Sequence, residues 1–203
     1  MKPPASTTIL GIETSCDETA AAVLDGEGHV LANVISSQQT VHERFGGVVP
    51  ELASRAHIQN VDHVTRQALD AAGLTWQDLG AIAVTQGPGL AGALLVGISY
   101  AKSLAYALGI PLVGVSHLEG HIASAWIDRP SFPRTCVVLI ASGGHTHLFH
   151  ATEHGGFHLM GRTIDDAAGE AFDKGAQMLG LGYPGGPLID AAARKGSPAA
   201  VRF

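Results

Sequence analysis

Two stretches of this chain run through the same scheme, and that repetition restricts the fold more than any other feature. Thr8 to Thr14 reads as a buried strand ending in a polar tip, Ser15-Cys16-Asp17-Glu18-Thr19. Ala20 to Leu24 returns from the tip, and His29 to Ser36 follows after the turn Asp25-Gly26-Glu27-Gly28. Far along the chain, Thr135 to Ala141 is again a buried strand, Ser142-Gly143-Gly144-His145-Thr146 a polar glycine tip, His147 to Thr152 a returning strand and Phe157 to Arg162 a third. A scheme laid down twice implies a duplicated fold. The stretch Arg129 to Arg134, with two prolines, reads as the linker, so the lobes are residues 1–133 and 134–203.

Between the repeats the period changes. Leu52, Ala56, Ile58, Val61, Val64, Ala68 and Leu69 recur at helical spacing from Glu51 to Ala72, and Gly73 stops the helix. Its other face, with Arg55, His57, Asp62, His63 and Arg66, reads as solvated, and Val41 to Pro50 before it as a polar loop. A strand, Ala81 to Thr85, feeds a glycine-rich turn, Gln86 to Gly92, and a long helix to Gly109; Pro111 to Val115 is a further strand, leading into a helix from His117. Three meandering strands, then helix, strand, helix, strand, helix, is the outline of a ribonuclease-H-like α/β lobe. The glycine-rich turn fits neither dinucleotide nor P-loop spacing, so close helix packing explains it as well as an anion does. In the second lobe a helix is expected from Thr163 to Leu179, capped by Asp165 or Asp166, with Asp166, Glu170 and Asp173 as an acidic stripe that reads as solvated. Gly180 to Pro187 breaks the chain before Leu188 to Ala193, so only the opening of this lobe is laid down.

Composition narrows the class. Apolar residues make up 46% of 203, but the longest apolar run, Leu90 to Leu108, carries Lys102 and several small residues, which suits a buried helix rather than a membrane span. The short polar start, Met1 to Ser6, shows no secretory leader, and Cys16 and Cys136 stand alone without C-x-x-C spacing, as expected of a reducing, cytoplasmic setting. The net charge of −6 provides no global field for a polyanion, so any nucleic acid contact is local or shared with a partner.

Chemistry gathers at Ser116-His117-Leu118-Glu119-Gly120-His121. Four positions apart on a helix, His117 and His121 share a face and can offer two imidazole nitrogens to one metal ion. Glu119 lies about 200° round the helix from either histidine. The zinc-protease pattern H-E-x-x-H instead sets its glutamate directly after the first histidine. Asp17 and Glu18, at a tip between strands, can hold a phosphate-bound cation, orient a polar substrate or simply stay solvated.

The blocks Gly11-Ile12-Glu13-Thr14-Ser15-Cys16-Asp17-Glu18-Thr19, Gly46 to Arg55, Gly87-Pro88-Gly89-Leu90, His117 to His121, Ser142 to Thr146 and Ile164 to Lys174 together closely resemble the bacterial TsaD family. These are the tRNA N6-adenosine threonylcarbamoyltransferases, once labelled O-sialoglycoprotein endopeptidases. The resemblance implies the duplicated actin-like ATPase fold, with the first lobe complete and the second partial. It also implies transfer of a threonylcarbamoyl group from threonylcarbamoyl-adenylate to N6 of the adenosine 3′ of the tRNA anticodon, with TsaB-like and TsaE-like partner proteins. By the same resemblance His117 and His121 bind one divalent metal per subunit, iron or zinc. Ile140, Ala141, Ser142, Gly143, Gly144, Asp173, Gly186 and Asp190 take substrate-binding positions, and Asp17 and Glu18 are acids of the active cleft, with Asp17 a candidate general base. The resemblance further implies that family members continue past the position of Phe203, and that this further part supplies a third metal ligand, an aspartate, and the far wall of the substrate site; two histidines alone hold a metal weakly.

Three other readings remain. A non-catalytic scaffold or dimerisation lobe of the same assembly needs no chemistry from this chain. A metalloprotease needs a glutamate beside the metal, and Glu119 points elsewhere. A sugar kinase or chaperone ATPase of this fold has no use for the histidine pair.

Overall fold

The computed structural model describes residues 7–127, 129, 131–153 and 156–202, so Met1 to Ser6 and Pro130 of the linker lie outside the described residues. The chain divides into two compact units. The first takes in residues 1–42 and 48–131, and the second Glu43–Gly47 with residues 132–203.

The first unit is a five-stranded mixed sheet with helices packed on it. Strands β1 (Thr8–Glu13), β2 (Glu18–Leu24) and β3 (Val30–Ser37) form the antiparallel meander, and β4 (Leu79–Gly87) and β5 (Leu112–Ser116) add to β1 in parallel, giving the order β3-β2-β1-β4-β5. Apolar side chains of β1, β2 and β4, among them Leu10, Val23 and Ile82, close the core with α2 (Pro50–Ala72) and α3 (Ala91–Leu108). Between β3 and α2, where a loop was expected, Gln39–His42 forms a short helix, α1, followed by one 3-10 turn over Glu43–Phe45. Helix α4 (His117–Ile127) follows β5 directly.

Two sequence expectations about helix faces change. In α2 the buried face runs through Ala53, His57, Val61, Val64, Thr65, Ala68 and Leu69, while Ile58 is 65% exposed and His57 fully buried. His57 stands four residues from both Ala53 and Val61, on the same side of the helix, so geometry takes it inside despite its polarity. Arg55, Asp62, His63 and Arg66 stay outside, as read. In α3 the buried residues are mostly small, Ala93, Gly97, Ala101 and Ala105 with Leu94, while Leu95 and Tyr106 are exposed. This helix is long and apolar enough to cross a membrane, yet it lies against β4 and α2 of the folded unit.

The second unit holds an antiparallel three-stranded sheet, β6 (Cys136–Ala141), β7 (Thr146–Ala151) and β8 (Phe157–Arg162), followed by α5 (Ala168–Met178) and α6 (Gly185–Ala193), which pack on each other. Strand β6 alternates rather than burying both faces: Ile140 is buried, Val137 and Leu139 exposed. Helix α5 begins at Ala168, later than expected, and neither Asp165 nor Asp166 caps it; its N-cap is Ala167. Helix α6 begins at Gly185, so Gly186 and Pro187 lie in its first turn rather than in a break. Proline is tolerated there because the first amides of a helix have no partner within it.

Candidate active site at the carboxyl edge of the first sheet

Because β1, β4 and β5 are parallel and β2 runs back from β1, four segments meet at one edge of the sheet. These are the 14–17 turn, the start of β2, the turn after β4 and the start of α4. In open α/β sheets ligands bind at the carboxyl ends of parallel strands.

The turn that carries Asp17 is tied down through three consecutive carbonyls. The amide of Leu90 donates to Ser15 O at 2.8 Å, and the amide of Gln38 donates to Asp17 O at 2.9 Å. Between them, Cys16 O lies 2.9 Å from His57 Nε2. Gly89 permits the first of these contacts, since a Cβ there would stand 2.6 Å from Ser15 O. The glycine-rich turn is thus accounted for by close backbone packing, the plainer of its two readings. Desolvation and the charge of Asp17 beside it push the thiol of Cys16 up to about 12, which keeps it protonated at neutral pH.

His57 was missed as a site-building residue. A carbonyl can only accept, so Nε2 carries the proton toward Cys16 O, and Nδ1 accepts from the Thr19 hydroxyl at 2.8 Å. His42, also buried, follows the same logic: the Val49 amide donates to its Nδ1, and its Nε2 donates to Gln38 Oε1 at 3.2 Å. The spacing Ala53-His57-Val61 was the available signal.

His117 and His121 stand one turn apart on α4, with their Nε2 atoms 3.1 Å apart and ring centroids at 4.5 Å. Two nitrogens bound to one ion at ~2.1 Å can be at most about 4.2 Å apart, so this donor pair fits a single metal. Burial and the neighbouring His117 charge lower the pKa of His121, which favours the neutral, ligating form. Glu119 is exposed on another side of the helix.

The acid that reaches this pair is Glu13, at the end of β1, rather than Asp17 or Glu18. Its Oε2 lies 3.1 Å from His117 Nδ1 and accepts the Thr85 hydroxyl at 2.6 Å, while Oε1 accepts the Ser15 amide. Burial pushes the Glu13 carboxyl up, but the hydrogen bonds from His117, Thr85 and Ser15 outweigh it and hold it at about 2. Another cluster of potential ligands, Asp25, Glu27 and His29, lies in the exposed β2–β3 turn, where Asp25 already accepts from the Glu27 and His29 amides and pairs with the His29 ring.

In the second unit Ile140 and Ala141 end β6, and Ser142-Gly143-Gly144 form the tip. The Gly169 amide of α5 donates to Ser142 O at 3.0 Å, and a Cβ on Gly169 would meet Ser142 O and Gly143 Cα, each at 2.7 Å. The tip and the start of α5 are therefore one packed feature. Asp173 accepts the Gly185 amide at 2.7 Å, which sets the first turn of α6, with Gly186, against α5. Asp190 pairs with Arg194 at 2.7 Å on the exposed side of α6. The acidic stripe is partly neutralised, since Lys174 reaches Asp166 at 2.6 Å and Glu170 at 3.0 Å.

The five-stranded 3-2-1-4-5 sheet with its meander repeated in the second unit defines an α/β protein of the ribonuclease-H-like, actin-like ATPase fold. Solved structures agree: the chain is similar to YeaZ from Pseudomonas aeruginosa (TM-score 0.53, 23% identity, covering 76% of this chain and 65% of that one). It is also similar to component A of the (R)-2-hydroxyglutaryl-CoA dehydratase of Acidaminococcus fermentans (TM-score 0.50, 13% identity, 95% and 71% covered). The chain belongs to the TsaD family, the tRNA N6-adenosine threonylcarbamoyltransferases, whose family model matches residues 29–203. Proteins of that name are 56% identical over 195 residues in Clostridium perfringens and 57% identical over 197 residues in Moorella thermoacetica. These matches cover 96% and 97% of this chain but 58% of each relative, so the chain spans little more than half their length.

Proposed function

We propose that this chain serves the transfer of a threonylcarbamoyl group from threonylcarbamoyl-adenylate to N6 of the adenosine 3′ of the tRNA anticodon. The observation that carries the reading is the histidine pair, with Nε2 atoms 3.1 Å apart, at the same sheet edge as Asp17, in a chain whose relatives are named tRNA N6-adenosine threonylcarbamoyltransferase. His117 and His121 would hold one divalent metal, iron or zinc. When bound, the ion supplies Lewis-acid polarisation of the carbamoyl carbonyl.

The chain's own residues do the rest. As N6 attacks the carbamoyl carbon, a C–N bond forms, the C–O bond to the adenylate phosphate breaks, and the amine proton passes to a carboxylate. Asp17 takes that proton in this reading, supported by a turn held through the Ser15, Cys16 and Asp17 carbonyls, with Glu18 next to it at the start of β2. In the second unit Ile140, Ala141, Ser142, Gly143, Gly144, Asp173, Gly186 and Asp190 supply substrate-binding positions, the packed glycine tip offering backbone rather than side chains. TsaB-like and TsaE-like proteins are the partners and the cytoplasm is the setting, in keeping with two free cysteines. With a net charge of −6, this chain relies on local or partner-shared contacts for tRNA.

The test is threonylcarbamoyl incorporation into tRNA with the partner proteins added. Asp17→Ala is expected to lower it by ~10²-fold or more, the usual contribution of a general base, and His117→Ala, which removes a metal ligand, to lower it as well. Full transfer by Asp17→Ala removes the proton-acceptor role. No transfer by the wild-type chain in their company leaves the scaffold reading standing instead.

A further inference from the structure

We propose that Glu13 is the positioning residue of the histidine pair: its carboxylate accepts a hydrogen bond from the Nδ1–H of His117 and so assigns Nε2, the nitrogen that faces His121, as the ligating atom. The inference rests on the reading of His117 and His121 as a metal site and adds the group that sets the tautomer and ring angle of one ligand.

A metal-binding imidazole must present a bare nitrogen, and which of its two nitrogens is bare is decided by what the other one donates to. Here His117 Nδ1 faces Glu13 Oε2 at 3.1 Å and Ser15 Oγ at 3.2 Å. The carboxylate can only accept, so the ring proton is drawn to Nδ1 and Nε2 is left with its lone pair toward His121 Nε2. Glu13 does not choose its own angle. Thr85, two residues from the end of β4, donates its hydroxyl to the same Oε2 at 2.6 Å, and the Ser15 amide donates to Oε1. A hydroxyl on one parallel strand therefore fixes a carboxylate on the next, and that carboxylate fixes a ring on the helix that follows β5. Glu13 and His117 are 104 positions apart, and the parallel pairing of β1 with β4 and of β4 with β5 is what closes that distance.

The experiment strips the full chain of metal and titrates it with Zn²⁺, comparing wild type, Glu13→Gln, Thr85→Val and His117→Ala. All carry His29→Ala, because the Asp25-Glu27-His29 turn can take an ion of its own. The metal-free proteins are also compared by the nitrogen chemical shifts of the His117 ring. Loss of such an outer partner typically weakens metal binding 10–100-fold. Glu13→Gln is expected to fall by about that factor and to lose the Nδ1–H preference of His117. Thr85→Val, which keeps the carboxylate but frees its angle, is expected to lose several-fold. Wild-type affinity together with an unchanged ring tautomer in Glu13→Gln overturns the proposal. Should Glu13→Gln not fold, unchanged affinity and tautomer in Thr85→Val overturn it equally. Zn²⁺ uptake no greater in wild type than in His117→Ala overturns the metal reading itself, and the role of Glu13 with it.

Discussion

The ring of His57 bridges Cys16 O, 2.9 Å from its Nε2, and Thr19 Oγ1, 2.8 Å from its Nδ1, so one buried side chain of α2 holds both ends of the turn carrying Asp17 and Glu18. His57→Ala leaves the Thr19 hydroxyl and the Cys16 carbonyl without partners and opens a void. A loss of about 2–4 kcal/mol follows from those two effects. His57→Gln, which keeps one donor, loses about half as much. Urea denaturation followed by far-UV circular dichroism reads both, and an alanine variant within 0.5 kcal/mol of wild type would show that the bridge contributes nothing, since a surface change stays within about that margin.

The same burial sets a pH response. Burial lowers the pKa of His57 below its ordinary 6.5, against the charges of Glu13 and Asp17 and alongside that of His42. As pH falls below 6.5 the unfolded chain binds the proton first, so stability present above 6.5 is lost as pH drops toward the folded value. Glu13, at about 2 against an ordinary 4.5, adds a second loss that begins below 4.5. The urea midpoint of wild type should fall in these two stages on acidification. His57→Gln shrinks the upper stage, leaving the share of His121, and Glu13→Gln shrinks the lower, leaving the share of Asp25; a profile for His57→Gln parallel to wild type above pH 4.5 contradicts the assignment.

Two glycines near the site predict opposite signs. An alanine Cβ at Gly89 would stand 2.6 Å from Ser15 O and 2.7 Å from Ser15 Cβ, whereas nothing lies within 4 Å of one at Gly120. Gly89→Ala forces backbone apart and costs about 1–3 kcal/mol. Gly120→Ala replaces glycine inside α4 and gains ~0.5–1 kcal/mol of helix propensity. Melting temperatures of the two variants should lie on either side of wild type.

Asp173 and Asp190 differ in what they hold. Asp173 accepts the first amide of α6, so Asp173→Ala costs about 1 kcal/mol, as loss of a helix-capping acceptor does, and speeds hydrogen exchange at Gly185. Asp190 meets Arg194 with both side chains more than half exposed, and Asp190→Ala changes stability by less than ~0.5 kcal/mol. Equal exchange rates at Gly185 in both variants would deny Asp173 its capping role.

What could be read from the sequence was local. Apolar period and glycine stops located α2 and α3, short apolar runs and turn residues located both meanders, and four-residue spacing put His117 and His121 on one face, because each depends on residues a turn or a hairpin apart. The start of α5 and of α6 escaped that reading, since Ala167 and Pro184 at their N-caps make no side-chain hydrogen bond that would mark them. Only tertiary structure decided that His57 lies inside and Ile58 outside. The choice follows from which side of α2 meets β2 and β3, not from the polarity of either residue. It likewise decided that Glu13 is the acid on the histidine pair. Hydrogen bonds reach about 3 Å, and partners 72 and 104 positions distant, Thr85 and His117, come within that reach of one carboxylate only when parallel strands set their ends side by side.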